Sequence, residues 1–167
     1  MRKKAWLTSV LASLLVLLAL TPAERNQTDI EGTYRLVSRD LPDGTTVSPP
    51  DIQGLLNYED GYRNFNVYWT DAEGNATSIS VIAEYELTAD TYTETNVFTL
   101  VNDEIEGAGV SYDLSSTSGS APVTAGEGTL SFTLPLRDEP AVVFTDDSLT
   151  ATREGEFVDH WVEIDDD

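Results

Sequence analysis

Residues 77–100, from Thr77 to Leu100, read TSISVIAEYELTADTYTETNVFTL. In the first half Ile79, Val81, Ala83, Tyr85 and Leu87 alternate with Ser78, Ser80, Glu84 and Glu86, and only Ile82 breaks the polar side. In the second half Tyr92, Glu94, Asn96, Phe98 and Leu100 share one parity, while Thr91, Thr93, Thr95 and Thr99 take the other. Side chains alternate across a strand, so a period of two marks half-buried strands rather than helix. Thr88-Ala89-Asp90 between the two halves is short enough for an antiparallel hairpin. The hairpin therefore has one apolar face, and Glu94 and Asn96 intrude on it.

The same alternation extends in both directions. Strands are predicted over Gly32–Arg39, Gly54–Tyr58 and Tyr62–Trp69, then over Val110–Leu114, Leu130–Leu136, Ala141–Thr145, Leu149–Arg153 and Glu156–Ile164. Leu41–Asp51 holds three prolines and the turn signal Asp43-Gly44, so it reads as a loop. Ser115–Gly128 is small and polar with no hydrophobic run, and reads as a mobile loop. No stretch beyond the leader described next sustains a 3.6-residue apolar period. The pattern predicts an all-β, up-and-down antiparallel β-barrel of about 8–10 strands, whose closure would remove exposed edges. An immunoglobulin-like sandwich lacks its cysteine pair around a buried tryptophan.

Arg2, Lys3 and Lys4 precede a largely apolar run from Leu7 to Leu20, and Thr21-Pro22-Ala23 offers a small residue for cleavage. Residues 1–23 therefore read as a secretory signal peptide, and residues 24–167 as a single exported domain, periplasmic or extracellular. The competing reading is an uncleaved anchor, for which the run is short. With no cysteine the chain forms no disulfide, and a domain of this length buries a sufficient core without one. After Ala23 six arginines and no lysine stand against all 30 acidic residues, a net charge of −24. Such a charge repels nucleic acid and anionic membranes. It suits a saline medium, where screening weakens self-repulsion. The runs Asp146-Asp147 and Asp165-Asp166-Asp167 lack the alternating spacing and glycine of a calcium loop, so they read as solvated surface.

Gly32-Thr33-Tyr34-Arg35-Leu36-Val37-Ser38 resembles the opening strand of bacterial lipocalin-like domain proteins, which begin Gly-Thr-Trp-(Arg/Lys)-Leu-Val-Ser. Gln53–Tyr58 with Asp60-Gly61-Tyr62, the pair Tyr85-Glu86-Leu87 and Asp90–Thr95, and the ending Leu149–Gly155 through Trp161-Val162-Glu163 are similar to later pieces of the same group. Tyr34 replaces the usual tryptophan, and Glu163 stands where an arginine often follows the last tryptophan. The resemblance implies a calycin-type barrel with a central cavity.

If the hairpin's apolar face points into such a barrel, Tyr85, Tyr92, Glu94, Asn96 and Phe98 line it, and Tyr112, Phe132 and Arg153 reach the same side. These eight residues form the candidate ligand-binding set. A buried carboxylate needs a partner. Arg153 and Arg63 are the arginines on otherwise apolar strand faces, and a Glu94–Arg153 pair is the expected match. It would either fix packing or leave Arg153 to hold the carboxylate of a fatty-acid-like ligand. The expected partner is a small hydrophobic or amphiphilic molecule. The sequence implies no cofactor. His160, the sole histidine, has no cysteine or second histidine to share a metal or haem. The chain has no Gly-x-Ser-x-Gly elbow for Ser-His-acid catalysis, which leaves an isomerase or hydrolase built on Glu94 and a tyrosine as the enzymatic alternative. A packed secreted module without a cavity is the third reading.

Overall fold

A computed structural model describes residues 29–136 and 140–164. The expected signal peptide and the terminal aspartates lie outside the described residues. The strands in chain order are β1 (Gly32–Asp40), β2 (Thr46–Val47), β3 (Ile52–Glu59), β4 (Tyr62–Thr70), β5 (Ala76–Leu87), β6 (Thr91–Asp103) and β7 (Gly109–Asp113). They continue as β8 (Ser118–Pro122), β9 (Thr124–Gly126), β10 (Thr129–Thr133), β11 (Ala141–Phe144), β12 (Ser148–Arg153) and β13 (Phe157–Glu163). All pairings are antiparallel, and no helix occurs among the described residues.

The sheet order is β7-β6-β5-β4-β3-β1-β13-β12-β11-β10-β9, with β2 added beside β1 and β8 beside β6. The first long strand therefore pairs with the last, from Tyr34 opposite Glu163 to Asp40 opposite Val158. Apart from β2 and β8, which lie off this path, the strands then follow chain order on each side of that pair. The result is an all-β, up-and-down sheet curled into a barrel-like shell, as the alternation predicts. Its seam falls between the β6–β8 side and the β9–β10 side.

Thirteen strands exceed the eight to ten expected because three short ones carry little pattern of their own. Ser115–Gly128, expected as a mobile loop, instead contains β8 and β9. β8 pairs with the start of β6, where Thr93 meets the Ser120 hydroxyl at 3.0 Å and Thr95 meets Ser118 at 2.8 Å. Its inward positions are Gly119 and Ala121 because the chain after β10 lies against them. A Cβ at Gly119 would stand 2.9 Å from the Pro135 carbonyl oxygen. A strand selected for small size leaves no hydrophobic run in the sequence.

The antiparallel order sorts the turns to two ends. At the end holding the β3–β4, β5–β6 and β11–β12 turns, aromatic rings fill the interior. Tyr92 stacks on Phe132 with ring centres 4.1 Å apart, and Phe144 meets Tyr34 and Tyr58 edge-on at 5.8 and 5.7 Å. Stacked and edge-on contacts of this kind suit the ring quadrupoles and close this end. The opposite end, with the β4–β5, β6–β7 and β12–β13 turns, is not filled in the same way.

Candidate functional site

An interior cavity of about 460 Å³ opens toward that second end. Its walls are apolar through Leu56, Phe65, Val67, Val81, Val142 and Leu149, and its deepest polar group is Arg63. Trp161 packs across the middle, its ring edge against Gly54 of β3, where a Cβ would meet the indole at 2.6 Å. The buried indole N–H of Trp161 finds no acceptor among the described residues.

Glu94 lies behind the cavity wall and is 1% exposed. Its carboxylate accepts from the Arg63 guanidinium at 3.0 Å and from the Tyr92 hydroxyl at 2.7 Å. Arg63, 3% exposed, reaches it because β4 alternates Arg63, Phe65, Val67 and Trp69 inward. The expected Glu94–Arg153 pair is thus replaced by Glu94–Arg63. Arg153 sits at the far end of β12, half-exposed, and its guanidinium meets Glu156 at 3.1 Å across the β12–β13 turn. The reason is length along the barrel: Glu94 lies near the start of β6 at the closed end, and Arg153 ends β12 at the mouth. Among the described arginines Arg63, at the start of β4, is the one at Glu94's level.

A second correction comes from a bulge. The β5–β6 register steps from Ala83 opposite Asn96 to Ile82 opposite Phe98, which leaves Val97 as an extra residue. An inserted residue shifts every later side chain to the other face. Phe98 and Leu100, expected inside with Tyr92, are therefore outside, and Thr99 and Val101 take the cavity wall. Tyr112 follows onto the outer face. It is 64% exposed and contacts Phe98 with ring centres 6.3 Å apart. Asn96 stays buried but serves the backbone. Its amide donates to the carbonyls of Asp113 and Ser115 at 3.3 and 2.8 Å, and its oxygen accepts from Thr99 at 2.9 Å.

Of the eight candidates, Arg153 borders the cavity. Tyr92, Glu94 and Phe132 are buried at the closed end, with Tyr85 half-buried beside them. Phe98 and Tyr112 face outward. Sequence reasoning missed the mouth. There Arg39 forms a two-pronged pair with Asp159, Nε to Oδ1 at 2.6 Å and a terminal nitrogen to Oδ2 at 2.8 Å. The same guanidinium lies over Phe157 at 4.1 Å and Trp69 at 5.1 Å. The signal was present: Phe157, Asp159 and Trp161 share a parity on β13, so Asp159 interrupts an apolar face just as Glu94 does. Beside this pair, on the outer face, His160 meets Asp40 at 2.9 Å and Thr46 donates to Asp40 at 2.6 Å, which hold that carboxyl below its usual range.

The closed end also sets a pH limit. Burial pushes the Tyr92 phenol far above its usual range, helped by the neighbouring Tyr58 and the Glu94 charge. Burial also raises Tyr34 strongly and pushes Tyr85 up to about 12, helped by Glu31. A raised phenol keeps its proton in the fold after the unfolded chain has lost it, so these groups stabilise the fold fully below pH 10 and progressively less above it. Alkaline titration should therefore show cooperative unfolding above pH 10, with the phenolate absorbance of these tyrosines appearing in step with loss of ellipticity. Phenolate absorbance from all seven tyrosines while the fold persists would contradict the burial.

Compared with protein-family models, curated proteins and solved structures, the chain finds no match in any of the three.

Proposed function

We propose that the chain is an exported, lipocalin-like protein that binds a small, mainly apolar molecule inside the barrel. The observation that carries this reading is the interior cavity of about 460 Å³, within the size range of small-molecule sites. Its wall supplies hydrophobic burial. Its polar groups are few: Arg63 at depth, Tyr58, Thr99 and Trp161 along the wall, and the pairs Arg39–Asp159 and Arg153–Glu156 at the mouth. A ligand with a long apolar body and one polar end fits this distribution, with the polar end at the mouth. Arg63 and Arg39 are each held in a buried ion pair, whereas the Arg153–Glu156 pair is exposed and exchanges partners at little cost. Arg153 is therefore the arginine that takes a ligand carboxylate.

Native mass spectrometry of gently purified protein, followed by titration with palmitate and with the matching fatty alcohol, tests the reading. One palmitate per chain is expected. Arg153→Met should weaken palmitate about tenfold while leaving the alcohol and the urea midpoint unchanged. A protein that is uniformly empty and ignores palmitate, the alcohol and apolar dyes would sink the cavity reading. Equal binding of palmitate by the variant would remove Arg153 alone.

A further inference from the structure

The outer wall of β1, β3, β4 and β5 holds a second concavity, a groove of about 770 Å³ bordered at one side by Pro49. Cross-strand register lays its side chains in two transverse rows. Arg35, Leu55, Asn66 and Ser80 stand opposite one another in the first, and Gln53, Tyr68 and Ser78 in the second. The rows are two residues apart along the strands, roughly 7 Å. Leu55 and Tyr68 are 46% and 38% exposed, large apolar groups presented to solvent rather than to the core. The Gln53 amide donates to the Tyr68 hydroxyl at 2.7 Å, which holds the ring in place, and the Asn66 amide donates to Asn64 at 2.9 Å.

None of the groove's lining residues is acidic, in a chain that carries 30 acidic residues. Carboxylates instead crowd the turns, as at Asp71 and Glu73 or Glu104 and Glu106. The available chemistry is a tyrosine ring, the aliphatic groups of Leu55, Val37 and Pro49, two side-chain amides, two serine hydroxyls and one guanidinium. The sheet's backbone N–H and C=O groups are committed to their ladders, so an extended peptide laid on this face gains no strand pairing. A second copy of this chain would bring the same concave surface and its own charge of −21, and a groove does not fill a groove. Amides and hydroxyls that both donate and accept, set around an aromatic plate, instead match a ligand rich in neutral hydroxyls.

We propose that this outer groove binds a neutral oligosaccharide, with Tyr68 as the stacking platform and Gln53, Asn66 and the serines as hydrogen-bonding partners of its hydroxyls. The site is separate from the interior cavity and does not depend on a ligand there.

The test titrates isotope-labelled protein with hexasaccharides of glucose, xylose and mannose. At least one should shift backbone amides clustered at residues 53–55, 66–68 and 78–80. Tyr68→Ala should weaken that sugar about tenfold. Asn66→Ala should weaken it as well, and both variants should keep the wild-type urea midpoint and apolar-dye uptake. The proposal is overturned if no hexasaccharide perturbs these amides at several millimolar, or if the shifts fall elsewhere. Undiminished binding by Tyr68→Ala also overturns it. So does self-association in sedimentation experiments that Tyr68→Ala abolishes, which would assign the wall to a second copy.

Discussion

Replacing Glu94 with alanine should destabilise the fold by about 3–5 kcal/mol, the range found when one partner of a buried ion pair is removed. The change leaves the Arg63 guanidinium, 3% exposed, without the carboxylate that faces it at 3.0 Å. It also strips the Tyr92 hydroxyl of its acceptor at 2.7 Å, inside the aromatic cluster that closes this end. Urea denaturation followed by tryptophan fluorescence measures the loss as a lower midpoint at unchanged slope. The informative companion is the double variant Arg63→Met/Glu94→Leu, in which both charges are removed and similar volume is kept. Apolar replacement of a buried pair is often neutral or stabilising, so the double variant should recover most of the loss. If the double variant is as unstable as the single one, the pair does more than satisfy its own charges. If Glu94→Ala unfolds at the wild-type midpoint, the closed end is not packed as described.

Arg39→Ala should have an effect of similar size for a related reason. Asp159 is 3% exposed, and both its oxygens accept from Arg39. Truncation leaves a buried carboxylate unpaired and also removes the guanidinium from its contacts with the Phe157 and Trp69 rings, so about 3–5 kcal/mol of stability is expected to go. Unlike the Glu94 change, this one lies at the cavity mouth. It should therefore raise the off-rate of any interior ligand as well as lower the urea midpoint. Asp159→Asn separates the two effects. It keeps the side chain's shape and a hydrogen-bond acceptor, so stability should fall less while the contacts of Arg39 with the Phe157 and Trp69 rings persist. A midpoint for Arg39→Ala within about 0.5 kcal/mol of wild type would place this pair with surface ion pairs, whose worth is small.

The opening hairpin shows how far local pattern carries. Ile79, Val81, Ala83, Tyr85 and Leu87 do face inward along the whole of β5, and Tyr92, Glu94 and Asn96 do so on β6. The pattern fails at Val97. The alternation of the sequence runs on through Phe98 and Leu100, and a bulge has no residue signature here: neither a glycine nor a proline marks it. Thr99 and Val101 were the better inward residues only once Val81 and Ile79 stood opposite them. β8 was illegible for a different reason. Its inward side is small to fit beneath Pro135 and Leu136, and that constraint comes from a segment more than ten residues away.

By itself the sequence determined the succession of the ten longer strands, β1, β3–β7 and β10–β13, the turns between most of them, their apolar parity except in β7 and in β6 past Val97, and the presence of a buried carboxylate at Glu94. These follow from interactions within a few residues, chiefly the two-residue period of a pleated strand. Tertiary structure alone decided which arginine Glu94 meets. Parity places Arg63 and Arg153 on the same inner surface, but height along the barrel depends on where each strand begins and on the register with its neighbours. Strand starts put Arg63 beside Glu94 at the closed end and Arg153 at the mouth. The same global geometry decided that the aromatic rings close one end and leave the other hollow.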